Sequence, residues 1–210
     1  TSALSTNFKP TGLYASMPNY PARGDIASAK ALLDSAGIKP DANGVRIRAI
    51  LDLIPYGEDW RRAGEYLKQV LGDIGIKLEL RYEDVPTWLK RIYHNYDFVM
   101  NVNYFYQLPD PVLGVHRHYG TDQIRKGTHF VNSSRYSNSE LDELLASGAT
   151  EANAQKRTQI YKKIQEILAR DMPVVNLFEL QFLTVYNTKL KGAYNSALGA
   201  YASFSEAYLD

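Results

Sequence analysis

The stretch VRIRAILDLIPYGEDWRRAGEYLKQVLGDIGIKLELRY, residues 45–82, decides the fold. Val45, Ile47, Ala49, Leu51 and Leu53 alternate with Arg46 and Arg48, which predicts a strand that becomes buried on both faces near Ile54. Pro55-Tyr56-Gly57 is a turn. Trp60, Ala63, Leu67, Val70, Leu71 and Ile74 then recur at helical spacing, and Gly75 supplies the stop. Ile76, Leu78, Leu80 and Tyr82 alternate again, as in a second strand. A strand–helix–strand unit of this length is a βαβ crossover. It sets its strands in parallel and leaves loops at their carboxyl ends.

Upstream, Asp25 is placed to cap a helix to about Ala36, with Ala29, Leu32, Leu33 and Ala36 on one face and Gly37 as stop. Downstream, Asp84 and Pro86 open another helix, with Trp88, Leu89, Ile92 and Tyr93 on one side. Residues 98–105 predict a third, central strand. Pro109 and Pro111 break it, because proline cannot donate to a ladder. Residues 119–136 read as irregular. Ser137-Asn138-Ser139-Glu140 matches a capping box before Leu141, Leu144 and Leu145. Asn153 can cap the strongest helix, with Ile160, Ile164, Ile167 and Leu168 on its core face. Lys156, Arg157, Lys162 and Lys163 form its solvated face, and Pro173 ends it. Residues 174–178 and 182–186 read as short strands. The class is α/β, a mixed sheet with helices on both faces.

The bulk numbers exclude several functions. A net charge of +1 gives no field to recruit nucleic acid or an acidic membrane. With no cysteine there is no thiol nucleophile, disulfide or Cys-ligated zinc. The apolar runs are too short to span a bilayer. No phosphate loop, Gly-x-Ser-x-Gly elbow or His-Glu-x-x-His helix occurs. His116 and His118 would share a face on a strand, but a metal site needs further converging ligands. The histidines therefore read as solvated loop residues. No catalytic residue, metal or cofactor is expected.

One constellation remains. Tyr104, Phe105, Tyr106 and Gln107 end the third predicted strand, and Asp110 and Arg117 follow. Ligands of open α/β sheets settle outside strand carboxyl ends. Aromatic faces there offer apolar contact, while Gln107, Asp110 and Arg117 can orient a polar or charged ligand. The competing reading makes Phe105 core and the tyrosines a strand end.

Four segments, in order, resemble the peptide/nickel (family 5) extracellular solute-binding proteins: DIASAKALLDSAG (25–37), AGEYLKQVLGDIGIKLE (63–79), YSNSELD (136–142) followed by Leu144-Leu145, and RTQIYKKIQEILARDMP (157–173). The resemblance implies a type II periplasmic-binding-protein architecture, in which two lobes close on a ligand about a hinge. Residues 25–173 would be the second lobe, and residues 1–24 and 174–210 the segments running from and to the first. It implies the substrate-binding component of an ABC importer in the periplasm, not an enzyme. The expected partners are a short peptide or other small polar or anionic solute and, through the whole protein, the permease subunits. A monomer is expected, with no nucleic-acid partner and with membrane contact only through the transporter. Peptide-binding members hold the ligand's amino group with an Asp where this chain has Gln107, while Arg117 offers a cation suited to a carboxylate or phosphate. Two alternatives stay open: a small α/β hydrolase or transferase using Asp110, His116 or His118, and a ligand-sensing regulatory domain.

Overall fold

The alternation of residues 45–82 folds as a parallel βαβ unit. The computed structural model describes residues 24–105, 110–177, 184–193 and 203–210. The chain divides into two compact units, with the division after Asn176.

In the first unit, the Asp25 carboxylate caps helix α1 (Ile26–Ser35) by accepting from the Ser28 amide. Strand β1 (Ile47–Leu53) ends with Leu51, Asp52 and Leu53 all buried. Helix α2 (Glu58–Gly72) has Glu58 and Asp59 in its first turn, where negative charge complements the helix dipole. Its Gly64 lies against β1, and a Cβ there would meet Leu53 Cδ1 at 2.4 Å. Gly75, at φ +87°, turns the chain into β2 (Ile76–Arg81). Asp84 caps α3 (Val85–Leu89), as expected. The helix then widens into a π-helix over Lys90–Asn95, which periodicity did not predict.

Strand β3 is limited to Met100–Val102, shorter than the predicted 98–105. Only Leu51–Leu53 of β1 pair with it, and the Asn103 side chain takes the Tyr104 amide out of any ladder. The sheet order is β2-β1-β3, with every pairing parallel. Among the described residues β1 is therefore the central strand and β3 an edge, contrary to expectation.

Helix α4 (Val115–Tyr119) follows a short 3-10 turn at Pro111–Leu113. Asn138, rather than Ser137, caps α5 (Ser139–Thr150), and Asn153 caps α6 (Ala154–Asp171). One core cluster lies on the sheet and includes Leu51, Leu53, Trp60, Trp88, Ile92 and Tyr93. A second joins Val115 and Tyr119 to Leu141, Leu145, Tyr161 and Ile164. Each such side chain, fully buried, contributes about 1.5–3 kcal/mol of transfer free energy. In the second unit, β4 (Leu190–Lys191) pairs antiparallel with β5 (Tyr208–Leu209). The described residues 174–177 and 184–186 form no strand; the rest of those two predicted strands lies outside the described residues.

Asp52 is wholly buried at the end of the central strand. Arg81 grips both its oxygens, at 2.5 and 2.9 Å, from the paired position on β2. Arg91, 3.8 Å from Asp52, also binds Glu83 and Asp97. Replacing Asp52 by Ala leaves two half-buried guanidinium groups without this carboxylate. Breaking a buried pair from one side costs about 3–5 kcal/mol. Arg81 keeps some solvent access, so the lower end, about 3 kcal/mol, is expected for Asp52→Ala. Urea denaturation of the chain measures it. A loss below about 1 kcal/mol would place the pair with ordinary surface ion pairs.

Candidate functional site

The strand order reverses between β1 and β3, since β2 lies on one side of β1 and β3 on the other. Open parallel α/β sheets bind ligands outside the strand carboxyl ends at such a reversal. Tyr56 follows β1 there, Trp60 opens α2, and Asn103, Tyr104 and Phe105 follow β3. The Tyr104 ring stacks on Trp60 with centroids 5.5 Å apart and meets Tyr56 edge-on at 5.8 Å. Trp60 is buried, whereas Tyr56 is 41% exposed. Burial, with the Tyr104 phenol beside it, raises the Tyr56 pKa, so its hydroxyl stays a neutral donor.

A polar shell adjoins these rings. The π-helix turns Tyr93 into the core, where its hydroxyl accepts a 2.6 Å hydrogen bond from Asn103 Nδ2. Burial pushes the Tyr93 phenol up to about 12, opposed by hydrogen bonding at Asn103, the Phe130 backbone and Ser133 and by the Arg117 charge. These four residues therefore surround one buried phenol. Arg117 donates from Nε to the Phe130 carbonyl at 2.7 Å. Phe130 holds a left-handed φ of 56°, an uncommon conformation for an aromatic residue and one that clusters at binding sites. Arg117 is exposed, and no carboxylate among the described residues pairs with it.

The expected site residues separate into groups. Tyr104 and Arg117 stand in this cluster. Phe105 packs on the His118 ring with centroids 3.8 Å apart, which joins it to the neighbouring helix. Tyr106 and Gln107 lie outside the described residues. Asp110 caps the following 3-10 turn and binds Arg157 Nη2 at 2.6 Å, which holds its carboxyl below the usual range. Its charge is thus met within the protein. Arg157 is correspondingly not on a solvated face. Its Nε donates to the Gly148 carbonyl, and its guanidinium lies 5.3 Å from the centroid of buried Tyr161.

Residues 116–118 lie on a helix, so His116 and His118 do not share a face. His116 meets Asp122 at 3.0 Å, while His118 is buried rather than solvated. The three residues that would serve an enzyme are committed to three different partners. Among the described residues, no group of three or more His, Cys, Asp or Glu is placed to hold a metal. Tyr56, Trp60, Tyr93 and Asn103 were not singled out by sequence. Tyr56 was within reach, because a turn at the carboxyl end of a βαβ strand is where the strand-end rule applies. Tyr93 was not, because only the π-helix aims it at Asn103.

Burial pushes the His118 pKa down to about 3 from an ordinary 6.5, with the Arg117 charge assisting. The unfolded chain thus takes up a proton that the folded chain refuses. This contribution to stability is complete above about pH 6.5 and falls as pH drops towards 3. The slope attributable to it approaches 1.4 kcal/mol per pH unit. The variant His118→Leu should flatten stability between roughly pH 6.5 and 5. Denaturant titrations across that range measure the effect, and an unchanged slope would contradict it.

Comparison with known proteins gives one consistent picture. The family described as bacterial extracellular solute-binding proteins, family 5 Middle, matches residues 1–125. The peptide transport periplasmic protein SapA of Haemophilus influenzae is 24% identical over 151 residues, 70% of this chain and 26% of that protein. The di/tripeptide-binding protein 3 of Pseudomonas aeruginosa is 22% identical over 178 residues, 85% of this chain and 32% of its own. The chain thus spans about a quarter to a third of the length of these curated relatives. Among solved structures, AppA from Clostridium difficile superposes with a TM-score of 0.73 at 25% identity, covering 94% of this chain and 40% of that one. The mannohexaose-bound periplasmic oligopeptide-binding protein from Thermotoga maritima superposes at 0.66 with 23% identity, covering 78% and 32%. The fold is therefore the α/β periplasmic-binding-protein fold of these neighbours.

Proposed function

The chain belongs to the bacterial extracellular solute-binding proteins of family 5, and from that premise we propose that residues 25–173 are the second lobe of an importer's substrate-binding component. Residues 1–24 and 174–210 run from and to a first lobe. The protein captures a small solute between the lobes outside the cytoplasm and delivers it to an ABC permease. It performs no chemistry on that solute. The relatives named above are peptide-transport and di/tripeptide-binding proteins, so a short peptide is the first ligand class to consider.

The observation that carries the reading is Arg117. Its Nε is fixed by the Phe130 carbonyl, and no carboxylate among the described residues meets its charge. A guanidinium so held is pre-organised for a carboxylate or phosphate oxygen. Tyr56 and Tyr104, paired at the ends of β1 and β3, supply aromatic contact at low entropy cost because a phenol ring has few torsions. The ligand is then an acidic or carboxylate-bearing solute, gripped by its anion rather than by an amino group. Closure follows from contacts that both lobes make only in the closed state.

Native mass spectrometry of the full-length protein, purified without denaturation, should show a co-purifying small anionic solute. Arg117→Ala should weaken its retention by about tenfold or more, the equivalent of one charge-assisted hydrogen bond. Undiminished affinity in that variant removes Arg117 from the site. The 210-residue chain alone should bind the same solute feebly, and submicromolar affinity in calorimetry would contradict the two-lobe reading.

A further inference from the structure

His94 and His129 flank the ligand cluster, each next in the chain to one of its residues, Tyr93 and Phe130, and have no part in the contacts described above. We propose that they form a two-histidine site for a late first-row divalent cation, such as Zn²⁺, Ni²⁺ or Cu²⁺. Their Nε2 atoms are 3.3 Å apart, from positions 35 residues distant in sequence. Two imidazole nitrogens that bind one cation at about 2.0–2.1 Å with a tetrahedral angle sit roughly 3.3–3.4 Å apart. In the metal-free chain the same contact is a long hydrogen bond between the two rings. The observed spacing is also that of such a chelate. The ring centroids are 5.5 Å apart, so the two nitrogens point nearly at one another, and both exposed rings must turn for their lone pairs to converge on a cation beside the N–N line.

Both rings are held from outside the pair. His94 ends the π-helix, one residue after buried Tyr93. Gly127, at φ +86°, donates its amide to the Tyr93 carbonyl at 2.8 Å. A Cβ on Gly127 would lie 3.3 Å from the His94 ring. The His129 ring leans on Tyr93 with centroids 5.8 Å apart. The loop and the π-helix thus present two imidazoles to solvent side by side. With the proton of the donor ring on Nδ1 rather than Nε2, both Nε2 atoms are free to bind the cation. Water completes the coordination, since no third protein ligand converges among the described residues. Imidazole suits zinc, copper and nickel, whereas calcium and magnesium demand oxygen.

Isothermal titration of the 210-residue chain with Cu²⁺, Ni²⁺, Zn²⁺ and Mg²⁺ tests the site. One transition cation should bind per chain, with Cu²⁺ tighter than Ni²⁺ and Zn²⁺, and Mg²⁺ should not bind. His94→Gln and His129→Gln should each weaken binding by about tenfold or more, and His116→Gln should not. Histidine ring NMR of the unsubstituted chain gives an independent reading, because Zn²⁺ should shift the His94 and His129 signals together. Absence of saturable binding, binding that survives both substitutions, or Zn²⁺ shifts confined to other histidines would each overturn the proposal.

Discussion

The buried carboxylate of Asp52 is the constraint on which the sheet end depends. It stands at the last buried turn of the central strand, with Leu51 and Leu53 on either side. A lone carboxylate there would cost several kcal/mol in desolvation, so its partners are obligatory rather than optional. Arg81 answers it from the paired position on β2, which ties β1 and β2 in register. Arg91 approaches from the π-helix and is itself held by Glu83 and Asp97. One charge cluster therefore fixes β1, β2 and the π-helix together. The same π-helix turns Tyr93 beneath Asn103, so the geometry of the candidate site is inherited from the geometry of the salt network.

A second set of polar ties organises the helices, and it explains the recognisable segments physically. Arg157 reaches back to Asp110 and the Gly148 carbonyl while lying over Tyr161. The Asp-Pro turn after the strand is thereby fastened to both long helices. Tyr136 donates to Asp171, and Asn138 caps α5 while bonding both Tyr136 and Asp171. The hydroxyl–carboxylate bond raises the Tyr136 pKa, after burial, and the Arg170 and Tyr136 bonds hold Asp171 well below the usual carboxylate range. The start of α5 and the end of α6 are joined through these three side chains. Residues far apart in the quoted segments thus turn out to be partners.

The parts legible in sequence were those with local causes. Asp25, Asp84, Asn138 and Asn153 cap helices because a short oxygen-bearing side chain can reach an amide three residues on. The βαβ unit followed from two periodicities and a glycine stop. What the sequence did not reveal depends on contacts across long separations. Arg157 has the spacing of a solvated lysine neighbour, and only Asp110, 47 residues away, turns it inward. His118 looked like a loop residue because nothing local shows that Phe105 will cover it. The third strand was overextended because its length is set by how much of β1 remains to pair with it. Tyr104 and Arg117 were found as candidates by the strand-end rule, whereas Asn103 and Tyr93 required the fold.

These internal ties also shape what the candidate site can recognise. Asp52, at the end of β1, and Asp110, the first acidic residue after β3, are both met by arginines of the same chain. They offer little to a cationic ligand. The nearby phenols of Tyr56 and Tyr93 are raised by burial and stay protonated at neutral pH. The site thus presents neutral hydroxyls and amides around one arginine whose Nε is already engaged. Moving an anion onto that guanidinium adds a charge-assisted bond without breaking an existing ion pair among the described residues. Moving an ammonium group there would meet like charge and find no described carboxylate to compensate. The anionic ligand proposed above is therefore the one suited to the charges that the fold leaves unused after holding itself together.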